Sequence, residues 1–490
     1  MPETQDLEAL LTSPTAIIAM ETQDEARVIQ QFMRLAAQMP QPFFQWTITE
    51  GLRPMGIERT GPENSRQPTD ALVEIRSTSQ AGTYLLADFH PFLDEPVNVR
   101  LLKDIALNQT VNHTVVLLSY ALTLPPELER YCARFEITVP TREQLKKIVL
   151  EESAKWSRER GGTNVRTNRK MLNALVENLQ GMPVGDARRL TLGALQDGAI
   201  REEDLAPVMK AKFELLNQQG VLSFEYDIGR FAEVGGLEKL KAWLDIRRPV
   251  FTGELDNPGL DRPKGVLLLG VQGCGKSLAA KAVAGSWNVP LLRLDFGTLY
   301  NKFHGETERN LRESLKTAQT MSPCVLWIDE IEKGIGTDGM DGGTSRRVLG
   351  SLLTWMAENK ERVFIVATAN DIESLPPELL RKGRLDEIFF VDLPDAATRC
   401  EILRIHLAKR ELPIENIDVE GIADACEGFS GSELEQLVVA TLYAAHARGG
   451  GVTTSTLLEE ADRTRPLSVV MRERIEQLRH WADSRTVPAH

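Results

Sequence analysis

The sequence predicts an α/β fold in which parallel sheets alternate with helical regions. Over residues 1–140 and again over residues 223–395, short apolar runs typical of buried strands alternate with segments of helical periodicity. Residues 141–222 and 396–490 show helical periodicity alone. Strands and helices in turn favour a parallel sheet with helices on its faces. The order sheet, helices, sheet, helices therefore predicts four domains, which suits 490 residues because such a chain is too long for one hydrophobic core.

The first region begins with a predicted strand over residues 15–20 and a predicted helix over residues 24–38. The alternation continues with strands over residues 42–48, 84–88 and 114–119, and with a helix over residues 97–108. After the first strand the sequence reads Met-Glu-Thr-Gln-Asp over residues 20–24, so no glycine-rich turn follows it.

The two halves of the chain share short sequence features in the same order. The pentapeptide Leu-Pro-Pro-Glu-Leu occurs at residues 124–128 and again at residues 375–379. Upstream of it, the run that ends at Asp88 takes the place of the run that ends at Asp329. We therefore predict that the first half is a degenerate copy of the fold of the second half.

A glycine-rich loop follows the first strand of the second region. The apolar run from Val266 breaks into glycines, a lysine and a hydroxyl, and a helical segment starts at Leu278. The loop has the spacing G-x-x-x-x-G-K-[ST] and consists of Gly270, Val271, Gln272, Gly273, Cys274, Gly275, Lys276 and Ser277. Such a turn aims backbone N–H groups inward, and the helix behind it adds a partial positive charge. The loop and Leu278 are therefore predicted to bind a nucleoside triphosphate.

Side chains with the chemistry of phosphoryl transfer occur in the loop and at the end of a later strand. We expect Lys276 to reach the β- and γ-phosphates and the Ser277 hydroxyl to bind Mg²⁺. The apolar run over residues 324–328 ends in Asp329 and Glu330. At the carboxyl end of a strand both can face the nucleotide, Asp329 holding Mg²⁺ through water and Glu330 orienting the attacking water.

The next predicted strand covers residues 363–370, and three further polar residues lie at its end or shortly after it. Asn370 at its end is expected to hydrogen-bond the γ-phosphate or the attacking water. Arg381 and Arg384 come next, and guanidinium groups suit the charge that develops on a transferred phosphoryl group. Taken alone, the two arginines fit a solvated surface equally well.

Together these motifs resemble those of the AAA+ ATPases, in particular the hexameric branch that remodels proteins. The resemblance covers about residues 230–490, and its motifs lie at residues 234–237, 270–277, 327–330, 367–370, 380–386 and 428–434. It implies a large ATPase domain at 223–395 and a helical lid at 396–490, with ATP and Mg²⁺ as cofactors. It also implies that Arg381 and Arg384 are arginine fingers that enter the site of a neighbouring copy, in a homo-oligomer of six.

The resemblance extends to the arrangement of the whole chain. A degenerate N-terminal half, with an α/β domain at 1–140 and a lid-like domain at 141–222, is similar to that of certain plastid and cyanobacterial AAA+ proteins. In the family, an aromatic residue on a pore loop grips the substrate polypeptide, and Phe303 stands at the matching position. The glycine-rich residues 334–344 would be a second pore loop or a mobile connection.

Composition limits the partners and the compartment. A net charge of −13 disfavours nucleic acid, and the absence of a long apolar run or a basic N-terminal segment disfavours membranes and secretion. The five cysteines are scattered, which favours a reducing cytoplasm over disulfides or zinc. Cys274 stands in the phosphate loop, where a lowered thiol pKa would make activity redox-sensitive, although a small tolerated residue is the simpler interpretation.

The sequence thus favours an oligomeric ATPase that remodels, unfolds or disassembles proteins. The alternative is a nucleotide-dependent switch or scaffold with little turnover, which is favoured by Met-Ala-Glu-Asn at residues 356–359 in place of the family's intersubunit signal. A nucleic-acid motor is the weakest hypothesis because the chain is acidic.

Overall fold

The computed structural model describes residues 2–22, 24–56, 62–108, 110–217, 221–225, 234–255, 257, 259–301, 307–334, 342–372, 375–381 and 383–490. Two compact units are present, over residues 1–208 and 209–490. Both contain a largely parallel sheet with helices, so the predicted α/β class is confirmed. Within the described residues, none of the helices is both long enough and apolar enough to cross a membrane.

The first unit contains the following elements: α1 (Pro2–Thr12), β1 (Ile17–Glu21), α2 (Glu25–Ala36), β2 (Phe43–Thr47), β3 (Gly51–Pro54), α3 (Pro68–Ser77), β4 (Thr83–Ala87), α4 (Pro96–Leu107), β5 (Thr114–Ser119), α5 (Pro126–Glu129), β6 (Cys132–Glu136), α6 (Arg142–Glu159), α7 (Arg169–Asn178) and α8 (Val184–Ala194). Helix α9 (Leu205–Leu216) includes the boundary between the units.

The second unit continues with β7 (Leu222–Glu225), α10 (Glu238–Thr252), β8 (Gly265–Gly270), α11 (Lys276–Trp287), β9 (Leu291–Leu294), α12 (Phe296–Asn301), α13 (Thr307–Thr320), β10 (Cys324–Ile328), α14 (Gly342–Glu358), β11 (Val363–Ala369), β12 (Glu387–Val391), α15 (Ala396–Lys409), α16 (Val419–Ala425), α17 (Gly431–Ala447), α18 (Thr454–Arg463), α19 (Leu467–Val470), α20 (Arg472–Ala482) and β13 (Val487–Pro488).

The two sheets share the order of five strands, but the antiparallel edge strand follows its partner along the chain in the first sheet and precedes it in the second. The first reads β6-β1-β5-β4-β2-β3 and the second reads β13-β12-β8-β11-β10-β9-β7. In both, the central strands pair in parallel and the last strand is antiparallel, β3 against β2 and β7 against β9. The second sheet gains β13 at its other edge, where it pairs with β12. The N-terminal half therefore repeats the sheet of the C-terminal half, as the sequence predicted.

The backbone after β4 corrects our alignment of the two halves by one residue. Asp88 has a φ of 52° and Glu330 has a φ of 47°, a left-handed conformation that is uncommon outside glycine. Each is followed by a fully buried apolar residue, Phe89 or Ile331, and a short 3₁₀ turn begins at His90 in the first half and at Ile331 in the second. Asp88 therefore corresponds to Glu330 rather than to Asp329, and Ala87 stands where the second half has Asp329. The first half has kept one carboxylate of the pair and lost the other.

An aspartate takes the place of the phosphate loop in the first half. Asp24 precedes α2, and its Oδ1 accepts the N–H of Arg27 at 3.4 Å. Its Oδ2 accepts the N–H of Val184, the first residue of α8, at 3.0 Å. The N-terminus of α2 is thus capped by a side chain of the protein itself. A carboxylate at this point repels a phosphate group. A loop that does not hold a phosphate does not need the glycines that would let its backbone wrap around one.

Candidate active site

The phosphate loop connects β8 to α11 and needs its glycines for two reasons. Gly273 and Gly275 have φ values of 80° and 88°, in the left-handed region that glycine adopts at no steric cost. Gly270 lies against β12, where an added Cβ would come within 2.0 Å of the Val391 carbonyl oxygen. The loop therefore turns tightly beside the sheet and leads its backbone into the first turn of α11.

The loop borders a cavity of about 410 Å³. Seven of the nine residues predicted to bind nucleotide line it, together with all three residues predicted at the ends of β10 and β11: Gln272, Gly273, Cys274, Gly275, Lys276, Ser277, Leu278, Asp329, Glu330 and Asn370. Gly270 and Val271 instead line a neighbouring cavity of about 350 Å³, which Gln272, Glu330 and Asn370 also border. The structure thus brings the predicted loop and the predicted catalytic groups together.

Lys276 is buried at the floor of the site, with 6% of its surface exposed. Its Nζ donates hydrogen bonds to the carbonyl oxygens of Gly270 at 2.9 Å and of Val271 at 2.8 Å. An ammonium group has three N–H donors, so this arrangement aims the group while a donor remains for a phosphate oxygen. Burial lowers the pKa of Lys276 to about 8, although nearby carboxylates, including Asp329 and Glu330, act in the opposite direction.

This pKa predicts that nucleotide affinity depends on pH. Below about pH 8 Lys276 carries the charge that attracts phosphate, and above it the free site loses that charge. The dissociation constant should therefore be constant at low pH and then rise by up to about tenfold per pH unit, until the pKa of the nucleotide complex is reached. Titration with a fluorescent ATP analogue from pH 7 to 9.5 measures this. Lys276→Arg, which stays charged, should bind with little pH dependence, and a flat profile for the unmodified protein would contradict the assignment.

Two acidic residues lie at the carboxyl end of β10. Asp329 accepts a hydrogen bond from the Thr368 hydroxyl through Oδ1 at 2.8 Å and one from Arg293 through Oδ2 at 3.0 Å. The N–H of Glu330 donates to the same Thr368 hydroxyl at 3.0 Å. Thr368 lies on β11, so one hydroxyl ties both carboxylate residues to the neighbouring strand.

Glu330 and Asn370 are in direct contact. The Asn370 side-chain N–H donates to Glu330 Oε1 at 3.0 Å, and Lys333 pairs with the other carboxylate oxygen. Ser277 and Asp329 line the same cavity and offer a hydroxyl and a carboxylate, which are the oxygen ligands that Mg²⁺ prefers. Mg²⁺ binds ATP-hydrolysing proteins through one or two such groups plus phosphates, so these residues fit the ion.

Part of the cavity lining was not among the site residues predicted from the sequence. It includes the apolar side chains of Val234, Ile402 and Ile405, together with the polar side chains of His406, Ser432 and Glu435. Burial lowers the pKa of His406, which leaves the ring neutral at pH 7 although Glu435 lies 3.6 Å away. Apolar side chains with a few polar groups among them are the kind of lining that suits a nucleobase. Ile402, Ile405 and His406 share one face of α15 at helical spacing, which was the available signal.

Cys274 does not have the lowered thiol pKa that redox sensitivity would require. Burial raises its pKa to about 12, outweighing the effect of the nearby Lys276 charge. The thiol stays protonated at physiological pH, and a protonated thiol is a poor nucleophile. A small tolerated residue is therefore the better interpretation.

The remaining predicted residues lie elsewhere. Arg381 is exposed, and the guanidinium of Arg384 donates to the Glu378 carbonyl oxygen. Among the residues that the structure covers, neither arginine lines the cavity of its own chain. Phe303 and most of residues 334–344 lie outside the described residues.

Comparison with known families agrees with this geometry. The ATPase family associated with various cellular activities (AAA) matches residues 266–393. The N-terminal domain of SpoVK-like AAA ATPases matches residues 3–137, and their second domain matches residues 143–219.

Similar proteins cover either the whole chain or its second half. The AAA domain-containing protein ycf46 of Pyropia yezoensis is 34% identical over 98% of this chain and 97% of its own length. The AAA domain-containing protein ycf46 of Guillardia theta is 35% identical over 98% of this chain and 95% of its own length. A proteasome-activating nucleotidase of Aeropyrum pernix is 37% identical over 55% of this chain and 68% of its own length. The chain therefore belongs to the AAA ATPase family, as an ATPase whose N-terminal half is a degenerate copy of the same fold.

Proposed function

We propose that this ATPase assembles into a ring of six copies and uses ATP hydrolysis to remodel, unfold or disassemble protein substrates. The observation that carries the proposal is the division of the catalytic groups. Lys276, Glu330 and Asn370 border one cavity, whereas Arg381 and Arg384 lie outside it. A site that needs both sets is complete only between two copies, and head-to-tail contacts of this kind close into rings.

The residues of the cavity would act on bound ATP as follows. Lys276 and the loop N–H groups hold the phosphates, while Ser277 and Asp329 hold Mg²⁺, which neutralises charge on the phosphate oxygens. Glu330 orients the attacking water and accepts its proton, and Asn370 fixes the Glu330 carboxylate. The neighbouring copy's arginines stabilise the charge that develops as the γ-phosphoryl group transfers.

Coupling to a protein substrate would run through residues that follow β9. The chain from Asn301, where α12 ends, to Thr307, where α13 begins, contains Phe303. We propose that this segment is the pore loop and that Phe303 contacts the substrate. The similarity to proteasome-activating nucleotidases supports a protein substrate over nucleic acid. The four-domain division at residues 140, 222 and 395 belongs to the same proposal.

A switch or scaffold with little turnover is the second candidate. It is favoured by residues 356–359, where Met356 is buried and Asn359 accepts a hydrogen bond from Gln319 of the same chain at 3.1 Å. Residues that are buried in their own chain or hydrogen-bonded to it are less able to contact a neighbouring copy and to transmit its nucleotide state.

A trapping experiment distinguishes the two candidates. Glu330→Gln should hold ATP and any bound protein, so pull-down from cell extract should recover specific proteins with ATP and lose them when Lys276→Ala is added. Phe303→Ala in the same background should reduce that recovery. If ATP changes only the oligomeric state and no protein is retained, the switch is favoured and remodelling is contradicted.

A further inference from the structure

Arg293, on β9, connects the Mg²⁺ side of the site to the edge of the sheet. Its Nη2 donates to Asp329 Oδ2 at 3.0 Å. Its guanidinium carbon lies 4.7 Å from the centroid of the Trp327 ring, which is its direct neighbour in the parallel β9 and β10 pair. Arg293 therefore lies on the same face of the sheet as Asp329, two residues after Trp327.

The guanidinium also forms a longer ion pair with the edge strand of the sheet. Glu225, on the edge strand β7, has Oε1 at 4.0 Å from Arg293 Nη1. Its Oε2 lies 3.6 Å from Nζ of Lys281, which belongs to the helix that follows the phosphate loop. The ring of Trp327 is almost fully buried, so one face of the guanidinium is shielded from water. The Trp327 ring, the hydrogen bond to Asp329 and the longer ion pair with Glu225 together restrict the orientation of this guanidinium.

This arrangement determines the orientation of Asp329. Thr368 occupies one carboxylate oxygen and Arg293 occupies the other, so the carboxylate plane is fixed from two directions. Each carboxylate oxygen can accept a second hydrogen bond, which leaves capacity for Mg²⁺-bound water. Partners of this kind orient a metal-holding group and are often as important as the group itself.

We propose that Arg293 is a positioning residue for the Mg²⁺-holding carboxylate Asp329, with Glu225 as its support on β7. The inference rests on the proposed role of Asp329. It also gives the edge strand β7 a role, because β7 supplies the carboxylate of Glu225 that pairs with Arg293. Arginine suits this position better than lysine because its planar group stacks on a ring and presents several donors.

The test measures the Mg²⁺ dependence of nucleotide binding in the full chain. Arg293→Gln removes the charge and keeps an N–H donor, whereas Arg293→Met keeps an unbranched apolar side chain and removes both the charge and the donor. A fluorescent ATP analogue gives the dissociation constant in EDTA and across a Mg²⁺ titration. Both variants should bind within about twofold of the unmodified protein in EDTA, and the Mg²⁺ concentration for half-maximal effect should rise by about tenfold. Glu225→Gln should also raise the Mg²⁺ concentration for half-maximal effect, but by a smaller factor.

Controls separate positioning from folding and from the proposed role of Asp329. Arg448→Gln breaks an arginine–carboxylate pair in the lid, between Arg448 and Glu459 at 2.9 Å, and should change nothing. Thermal unfolding of each variant identifies a loss of fold. If Arg293→Met does not fold, Arg293→Gln alone provides the test of the positioning role. If both folded variants keep the Mg²⁺ midpoint within twofold, or lower it, the positioning role is overturned. If Asp329→Asn also leaves the midpoint unchanged, the proposed role of Asp329 fails as well.

Discussion

Glu330→Gln should lower the rate of ATP hydrolysis by about 10² to 10⁴-fold and leave ATP binding within a few-fold of the unmodified protein. The amide has nearly the same shape and keeps a partner for Asn370, but it cannot accept a proton from water. Steady-state phosphate release measures the rate, and titration with a fluorescent ATP analogue measures binding.

Glu332→Gln is the matched control for this variant. Glu332 lies near the site and is buried, and its Oε1 accepts the backbone N–H of Asn370 at 2.9 Å. It lines the neighbouring cavity instead of the nucleotide cavity, and burial raises its pKa. Its replacement should therefore cost less activity than that of Glu330. If Glu330→Gln hydrolyses ATP at the unmodified rate, the proton acceptor is another group, with Glu332 the first to examine.

Arg384→Ala and Arg381→Ala should each reduce hydrolysis strongly, by about 10³-fold where the residue acts as an arginine finger. Neither lines the cavity of its own chain, so the dissociation constant for ATP on the dilute protein should not change. The rate per copy of the unmodified protein should rise with protein concentration, while that of the variants should not. Arg448→Ala, directly after helix α17 and outside the nucleotide cavity, is the control. An unchanged rate in both finger variants would place the arginines on an ordinary solvated surface.

The central strands and the loop could be predicted because their signals are local. The residues of β5, for example, form one apolar run that the structure reproduces from Thr114 to Ser119. The edge strands β3, β7 and β13 were not predicted, since each is short and is defined by its pairing partner. Strand β13 pairs with β12, which lies almost a hundred residues earlier, and local periodicity carries no record of such a contact.

In the candidate site, too, residues in local motifs could be predicted, whereas residues that meet only in the folded chain could not. Lys276, Asp329 and Glu330 stand in motifs whose spacing reflects their chemistry. The rest of the cavity lining includes Gly235 and His406, residues that only the folded chain brings together. Arg293 stands alone in a strand, where an arginine in the sequence reads as an ordinary solvent-facing position, and its partner Asp329 lies on another strand.

The degenerate half illustrates how far a repeat can be followed in sequence. The pentapeptide at residues 124–128 and the run that ends at Asp88, which recur in the same order in the second half, indicated the copy. These features could not fix the alignment at Asp88, where one residue decides whether the aspartate stands for Asp329 or for Glu330. The backbone conformation decides it, since φ is positive at Asp88 and at Glu330.

The claim that the active site is shared between copies is tested most directly by mixing two inactive variants. Glu330→Gln keeps its arginines, and Arg384→Ala keeps its glutamate. In a mixed ring an Arg384→Ala copy can supply Glu330 while its neighbour supplies Arg384, so about a quarter of the interfaces should be complete at equal amounts. Hydrolysis should then reach about a quarter of the unmodified rate at the equimolar mixture. If every mixture gives only the sum of the two residual rates, Glu330 and Arg384 do not act across an interface.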